Sequence, residues 1–122
     1  MQRVKLLIDM DDCILDFEST WKRLFVEMIG NYDFPERKSF YIYHDLPIEF
    51  HEKAKEIANH PELFLMFNMY DGAYEALNEL HEEFDVELVT APHTTNINCY
   101  THKAQWIHDH LGSEWLNCLT IT

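Results

Sequence analysis

Positive charge is what this chain has least of. Nine Lys and Arg stand against 22 Asp and Glu, a formal net charge of −13 over 122 residues. A nucleic-acid duplex or an anionic membrane surface needs clustered Lys and Arg, so both are excluded as partners. A small phosphate ester is not excluded, because one metal ion reverses the potential inside a single pocket. The eight His add charge only below about pH 6.5, and none belongs to a polybasic patch. Cysteine is sparse as well. Cys13, Cys99 and Cys118 are odd in number and widely spaced, and they make neither a zinc pattern nor a disulfide framework. That usage fits the reducing environment of a cytoplasmic protein. No apolar run approaches the ~20 residues of a membrane span, and the apolar segment near the N-terminus is too short for a signal peptide. Internal repeats, linkers and low-complexity stretches are missing too. What remains, 47% apolar and 14% aromatic, is enough for one packed domain.

Against this background one stretch stands out. Residues 4–17 read VKLLIDMDDCILDF. Val4, Leu6, Leu7 and Ile8 form a short apolar run that predicts a buried strand. It delivers Asp9, Asp11 and Asp12 within four positions. Crowded carboxylates raise the local Coulomb energy, so they bring no structural gain unless a cation neutralises them. Capping of a following helix accounts for one acid, and Asp12 takes that role. A hard cation such as Mg²⁺ accounts for the others, since it binds carboxylate oxygens and keeps positions for phosphate and water.

The rest of the chain alternates between helix and strand. Phe17, Trp21, Leu24, Phe25, Met28 and Ile29 recur at helical spacing, and Gly30-Asn31 closes that helix. Residues 31–46 read as an aromatic loop. Pro47 opens a second helix with Ile48, Phe50, Ala54, Ile57 and Ala58 on its apolar side, ended by Asn59-His60-Pro61. Residues 62–69 form an apolar connector. A third helix follows Asp71-Gly72, with Ala73, Ala76, Leu77 and Leu80 as its stripe. Residues 86–90 predict a second strand, 99–111 a fourth helix stopped by Gly112, and 116–121 a third strand. Such alternation predicts a parallel α/β sheet with ligands at the carboxyl ends of its strands. Asp9–Asp12 and Thr90 both fall at those ends.

The string DMDDCILDF followed by VTAPH resembles the haloacid-dehalogenase (HAD) phosphohydrolases, and most specifically their 5′(3′)-deoxyribonucleotidase branch. The resemblance implies a HAD-like Rossmannoid α/β core over residues 1–16 and 71–122, with a small helical cap inserted at 17–70. It implies that Asp9 is a nucleophile, that Asp11 is a general acid and base, and that both hold Mg²⁺, Asp11 through its backbone carbonyl. Thr90 would hold the transferring phosphoryl group, with Ala91 and His93 beside it and Phe17 near a nucleobase. The substrate would be a nucleoside monophosphate, with deoxyribonucleotides expected. Trp21, Phe40, Tyr41, Tyr43, Phe64 and Phe67 are further candidates for a base-stacking wall. His102, His108 and His110 read as surface residues.

The family's third motif, a Lys, and its fourth, one or two Asp, follow a strand resembling LNCLTIT, and this chain stops at Thr122. The resemblance therefore implies a C-terminally truncated member, or a fragment of a longer protein. Lys103 matches a helix position of that branch other than its catalytic Lys, so the role is not assigned to it. Without later strands the first strand becomes a sheet edge, which a second copy, a complementing chain or a rearranged C-terminus is expected to cover. Three readings stay open: a Mg²⁺-dependent phosphohydrolase, a half-domain that binds nucleotide or protein without turnover, and a structural protein that assembles through its edge strand.

Overall fold

A computed structural model describes residues 3–122. Its centre is a three-stranded parallel sheet in the order β1-β4-β5, formed by β1 (Lys5–Asp9), β4 (Asp85–Thr90) and β5 (Leu119–Ile121). Ile8 pairs with Leu88 and Leu88 with Leu119, so one face carries an apolar row across all three strands. The expected mixed α/β architecture with a parallel sheet is what the chain adopts.

Strand β1 is not the buried strand its apolar run suggests. It lies at the sheet edge, and Leu7 remains 67% exposed. Apolar composition reports what a strand can bury, whereas burial depends on which elements reach it. Here Leu6 and Ile8 face the partly covered side, while Lys5, Leu7 and Asp9 point to the bare one. The third predicted strand also shortens. Residues Ser113–Cys118 turn as a 3₁₀ helix anchored by buried Trp115, leaving Leu119–Ile121 for β5.

Beyond β1 the backbone folds around one carbonyl. Met10 is fully buried, and its oxygen accepts the N–H groups of Cys13, Ile14 and Leu15 at 3.0 to 3.2 Å. So tight a turn needs a left-handed residue, and Asp12 supplies it with φ 58°. Asp is one of the few side chains that tolerates this region. The chain then leaves through β2 (Leu15–Asp16) and enters α1 (Phe17–Met28). Asp12 Oδ1 accepts the N–H groups of Phe17 and Glu18, and Asp16 Oδ1 accepts that of Ser19. The helix thus starts on two carboxylates, as its N-terminal dipole favours.

Phe25 of α1 is completely buried and meets the rings of Trp21, Tyr32, Phe34 and Phe50 at 5.0 to 5.8 Å between centroids. Trp21 is therefore core rather than base-stacking wall. A short helix α2 (His51–Ala58) adds Ala54 and Ile57, but Ile48, placed on its apolar side from sequence, is 84% exposed because residues Ile48–Phe50 form a separate 3₁₀ turn. The chain returns through β3 (Asn68–Met69), which pairs antiparallel with β2. Periodicity gives no warning of this two-residue ladder.

Helix α3 (Ala73–Glu83) buries only Leu77 fully, and Ala76 of its expected stripe faces solvent. Helix α4 (Cys99–Leu111) ends at Gly112, as expected. It buries Cys99, Trp106, Ile107 and Leu111, and Trp106 Nε1 donates to the Phe67 carbonyl at 2.9 Å. His110 is not simply a surface residue. Its ring stacks on Trp106 at 4.2 Å and its Nδ1 contacts the Trp106 carbonyl. No helix among the described residues is long and apolar enough to cross a membrane.

Candidate active site

The carboxyl ends of β1 and β4 are neighbours because Asp9 pairs with Val89 in the parallel register. Asp9, Thr90 and Ala91 line one open cleft of about 320 Å³, together with Leu7, Val89 and Thr122. Asp9 is exposed there, on the bare side of the sheet, whereas Thr90 is 1% exposed and points to the covered side. The two side chains therefore approach the cleft from opposite faces of the sheet.

Behind Thr90 lies a residue that sequence reasoning did not assign to the site. Lys103 is 2% exposed, and its Nζ donates to Thr90 Oγ1 at 2.5 Å, to the Ala91 carbonyl at 2.7 Å and to Asp11 Oδ2 at 3.4 Å. Phe64 covers it, with the ammonium 5.3 Å from the ring centroid. A buried ammonium is costly unless it is paired and hydrogen-bonded. Here three acceptors and an aromatic face surround it. The signal was present in the sequence: Cys99, Lys103, Trp106, Ile107 and Leu111 share one helical stripe, and a Lys among apolar residues is out of pattern.

Asp11 stands between this cation and the other acids. Burial holds its carboxyl above the ordinary carboxylate range, Lys103 pulls it back down, and Asp9 and Asp12 push it up again. Its Oδ1 is buried with no hydrogen-bond partner among the described residues. An unpartnered oxygen on an acid that favours its proton suits a group that donates to a ligand. Asp12 is occupied elsewhere, capping α1 and pairing with Arg37 at 2.8 Å.

His93 stands beside the cluster rather than in it. Its Nε2 contacts Thr95 Oγ1 at 3.0 Å, and Thr95 in turn donates to Asn59 Oδ1 at 2.7 Å. Burial and the neighbouring Lys103 both lower its pKa, which favours the neutral imidazole. Phe17 stacks on Phe67, centroids 5.1 Å apart, and is only partly exposed. Phe64 and Phe67 are buried, so among the stacking candidates Phe40, 83% exposed, and Tyr41 are the freest.

The donors available for a metal are hard oxygens: the Asp9 carboxylate and the backbone carbonyl of Asp11. They fit Mg²⁺, provided that phosphate and water complete the shell. No group of three or more His, Cys, Asp or Glu converges among the described residues.

Known proteins of similar sequence identify the family. A putative 5′(3′)-deoxyribonucleotidase of Bordetella pertussis is 31% identical over 96% of this chain and 65% of its own length. The human cytosolic-type 5′(3′)-deoxyribonucleotidase is 26% identical over 98% of this chain and 63% of its own. The mouse mitochondrial 5′(3′)-deoxyribonucleotidase is 27% identical over 98% and 58%. The chain thus spans under two thirds of the length of these relatives. The family described as 5′ nucleotidase, deoxy (Pyrimidine), cytosolic type C protein matches residues 2–121. The chain belongs to that family, and with it to the HAD-like deoxyribonucleotidase group.

Proposed function

We propose that the chain carries the catalytic half of a Mg²⁺-dependent phosphohydrolase acting on nucleoside monophosphates, deoxyribonucleotides among them. The observation that carries this reading is the Asp11–Lys103–Thr90 cluster at the ends of two parallel strands, joined to Asp9 through the cleft that Thr90 and Asp9 both line. Residues 1–16 and 71–122 serve as the core and 17–70 as the cap that faces the substrate. A cytoplasmic location goes with this reading, and the relatives include cytosolic and mitochondrial proteins.

In the proposed reaction an Asp9 oxygen attacks phosphorus in line and the ester P–O bond breaks. Asp11, whose burial favours the protonated form, gives its proton to the departing oxygen. Asp11 then takes a proton from water, which attacks the aspartyl phosphate and frees Asp9. Thr90 and the backbone at Ala91 hold the phosphoryl oxygens, and His93 and Phe17 flank the substrate. Lys103 balances charge at Asp11 and fixes the Thr90 hydroxyl. Asp9 and the Asp11 carbonyl would hold Mg²⁺, whose charge would further neutralise the phosphate.

A second reading is a half-domain that binds nucleotide without turnover, and the want of a converging group of three metal-ligating side chains among the described residues favours it. The bare edge at β1 belongs to either reading, as the place where a second copy or a complementing chain adds its surface. A strictly monomeric solution mass of 14.6 kDa argues against a second copy there. Phosphate release from deoxy- and ribonucleoside monophosphates, with and without Mg²⁺, separates turnover from binding. Release that needs the metal and vanishes in Asp9→Asn supports the enzyme, whereas nucleotide binding with no release supports the half-domain.

A further inference from the structure

Strand β1 has hydrogen-bonding capacity left on its outer side, because β4 is its one neighbour in the sheet. The Val4 carbonyl accepts the Asp85 N–H at 2.9 Å, so Val4, Leu6 and Ile8 turn their main-chain groups toward β4. Successive residues of a strand direct these groups to opposite sides. Lys5, Leu7 and Asp9 therefore present their N–H and C=O groups to the open edge. The side chains of the same three residues stand on the bare face of the sheet.

Charges on an edge strand ordinarily guard against pairing, because like charges meet. In β1 they sit at the two ends with opposite sign, Lys5 first and Asp9 last. A second copy laid parallel sets Lys5 against Lys5. Laid antiparallel and centred on Leu7, it sets Lys5 against Asp9, Leu6 against Ile8 and Leu7 against Leu7. All the outward main-chain groups of the strand are then paired. Moving the centre to Leu6 or Ile8 strips one end and places Leu7 opposite a charge. On the covered face, the apolar row of Ile8, Leu88 and Leu119 continues into the partner's Leu6. Apolar side chains meet apolar ones and each charge meets its opposite, the combination that stabilises cross-strand pairs.

We propose that two copies of the chain pair antiparallel through β1, about a two-fold axis at Leu7, and join their three-stranded sheets into one of six strands. The pairing also changes the cleft. Among the described residues no Lys or Arg lies within ion-pair distance of Asp9, and Lys103 is committed to Thr90, Ala91 and Asp11. The partner's Lys5 stands across from Asp9 on the bare face, where Asp9 and Leu7 line the cleft. Within its own copy Lys5 is 3.8 Å from Asp85, so each ammonium ends between two carboxylates. The second copy thus gives each cleft a cation at Asp9. The pairing rests on the strand alone, and its bearing on catalysis rests on the phosphohydrolase reading above.

Sedimentation equilibrium of the full chain across a concentration series should give twice 14.6 kDa. Lys5→Glu sets like charges across both ends of the pairing and should weaken the dimer about thirtyfold. Because Lys5→Glu also meets Asp85, Asp9→Lys supplies the same contrast without that repulsion. The double variant Lys5→Glu/Asp9→Lys restores opposite charges and should return the dissociation constant to within about threefold of wild type. In a Cys13→Ser/Cys118→Ser background, Leu7→Cys should form an interchain disulfide on oxidation, since residues facing each other in a hydrogen-bonded pair lie about 5.5 Å apart at Cα. Lys5→Cys in that background should not, since it faces position 9. A wild type that stays at 14.6 kDa overturns the proposal and leaves the edge to a complementing chain. A dimer indifferent to both charge reversals, not restored by the double variant, or linked as readily at position 5 as at position 7 overturns it too. None of these readings uses phosphate release, whose absence defeats the enzyme reading alone.

Discussion

Replacing Lys103 by Met removes a buried cation and keeps the length of its side chain, so little cavity opens. The cost comes from the partners left behind. Thr90 Oγ1 and the Ala91 carbonyl each lose a donor, and Asp11 loses its counter-charge. An unsatisfied buried group costs about 1–3 kcal/mol, and breaking a buried ion pair about 3–5 kcal/mol. Asp11 has an escape, because it can take up a proton. Its carboxyl already sits above the ordinary 3.8, raised chiefly by burial, and losing Lys103 raises it further. The folded variant therefore prefers protonated Asp11, whereas the unfolded chain ionises near the ordinary value. Stability of the variant falls as pH rises from there through the folded pKa and then levels. Its deficit against wild type is smaller at pH 5 than at pH 8, where it should reach about 3 kcal/mol, or roughly 10 °C in melting temperature for a domain of this size. Urea titrations at the two pH values measure the difference. Adding Asp11→Asn to Lys103→Met should recover part of the loss, because it removes the stranded charge. A deficit identical at both pH values, or a double variant less stable than Lys103→Met alone, refutes this account of the cluster.

Three further outcomes follow from the same geometry. Asp9→Asn should abolish phosphate release while leaving stability within about 0.5 kcal/mol by thermal melt, because Asp9 is exposed and its charge only adds to the repulsion around Asp11. Asp11→Asn should be more stable than wild type at pH 7, and denaturation at falling pH should show the gain disappearing below the ordinary carboxylate range, where wild-type Asp11 is protonated in both states. Asn96→Ala should cost about 2–3 kcal/mol in urea, since the buried amide donates to the Ala58 and His60 carbonyls at 3.1 and 2.9 Å and nothing replaces it.

Legibility of the sequence depended on how far each signal reached along the chain. Helix α4 and its stop at Gly112 were readable because periodicity and a terminal glycine are local. The capping role of Asp12 was readable for the same reason, although its bond to Arg37 was not, since 25 residues separate them. The convergence of Asp9 and Thr90 followed from strand order and register, which alternation of helix and strand implies. Lys103 escaped assignment because its partners Thr90 and Asp11 lie 13 and 92 positions away, and a matched helix position was given more weight than the apolar stripe on which the Lys stands. Burial misled in the opposite sense at β1 and Ile48, where apolar residues meet no covering element. His93 and Phe17 were placed beside the site by resemblance, and their observed contacts, Thr95 and Phe67, belong to loop and core packing.

An acidic chain proposed to take an anionic substrate poses an electrostatic problem, and the solution it offers is local. At physiological salt, exposed charges beyond about 8 Å of the site are largely screened, so the net −13 matters less than the groups around the cleft. Around Asp11, behind that cleft, these are Asp9 and Asp12 against Lys103, with Arg37 paired to Asp12. Protonating Asp11 brings that set, Asp11 included, from one net negative charge to neutrality, and one divalent cation would then make it positive. The raised pKa of Asp11 and the metal of the proposed reaction are thus two parts of one balance. Either alone leaves the cleft neutral or only weakly positive toward a doubly charged phosphate. It follows that nucleotide affinity should fall as pH rises through the Asp11 titration, and should fall more steeply without Mg²⁺ than with it. Calorimetric binding of a non-hydrolysable phosphonate analogue of a nucleoside monophosphate to the wild-type protein across that pH range, with and without the metal, measures both slopes. Equal slopes would mean that the proton and the metal act on separate parts of the site.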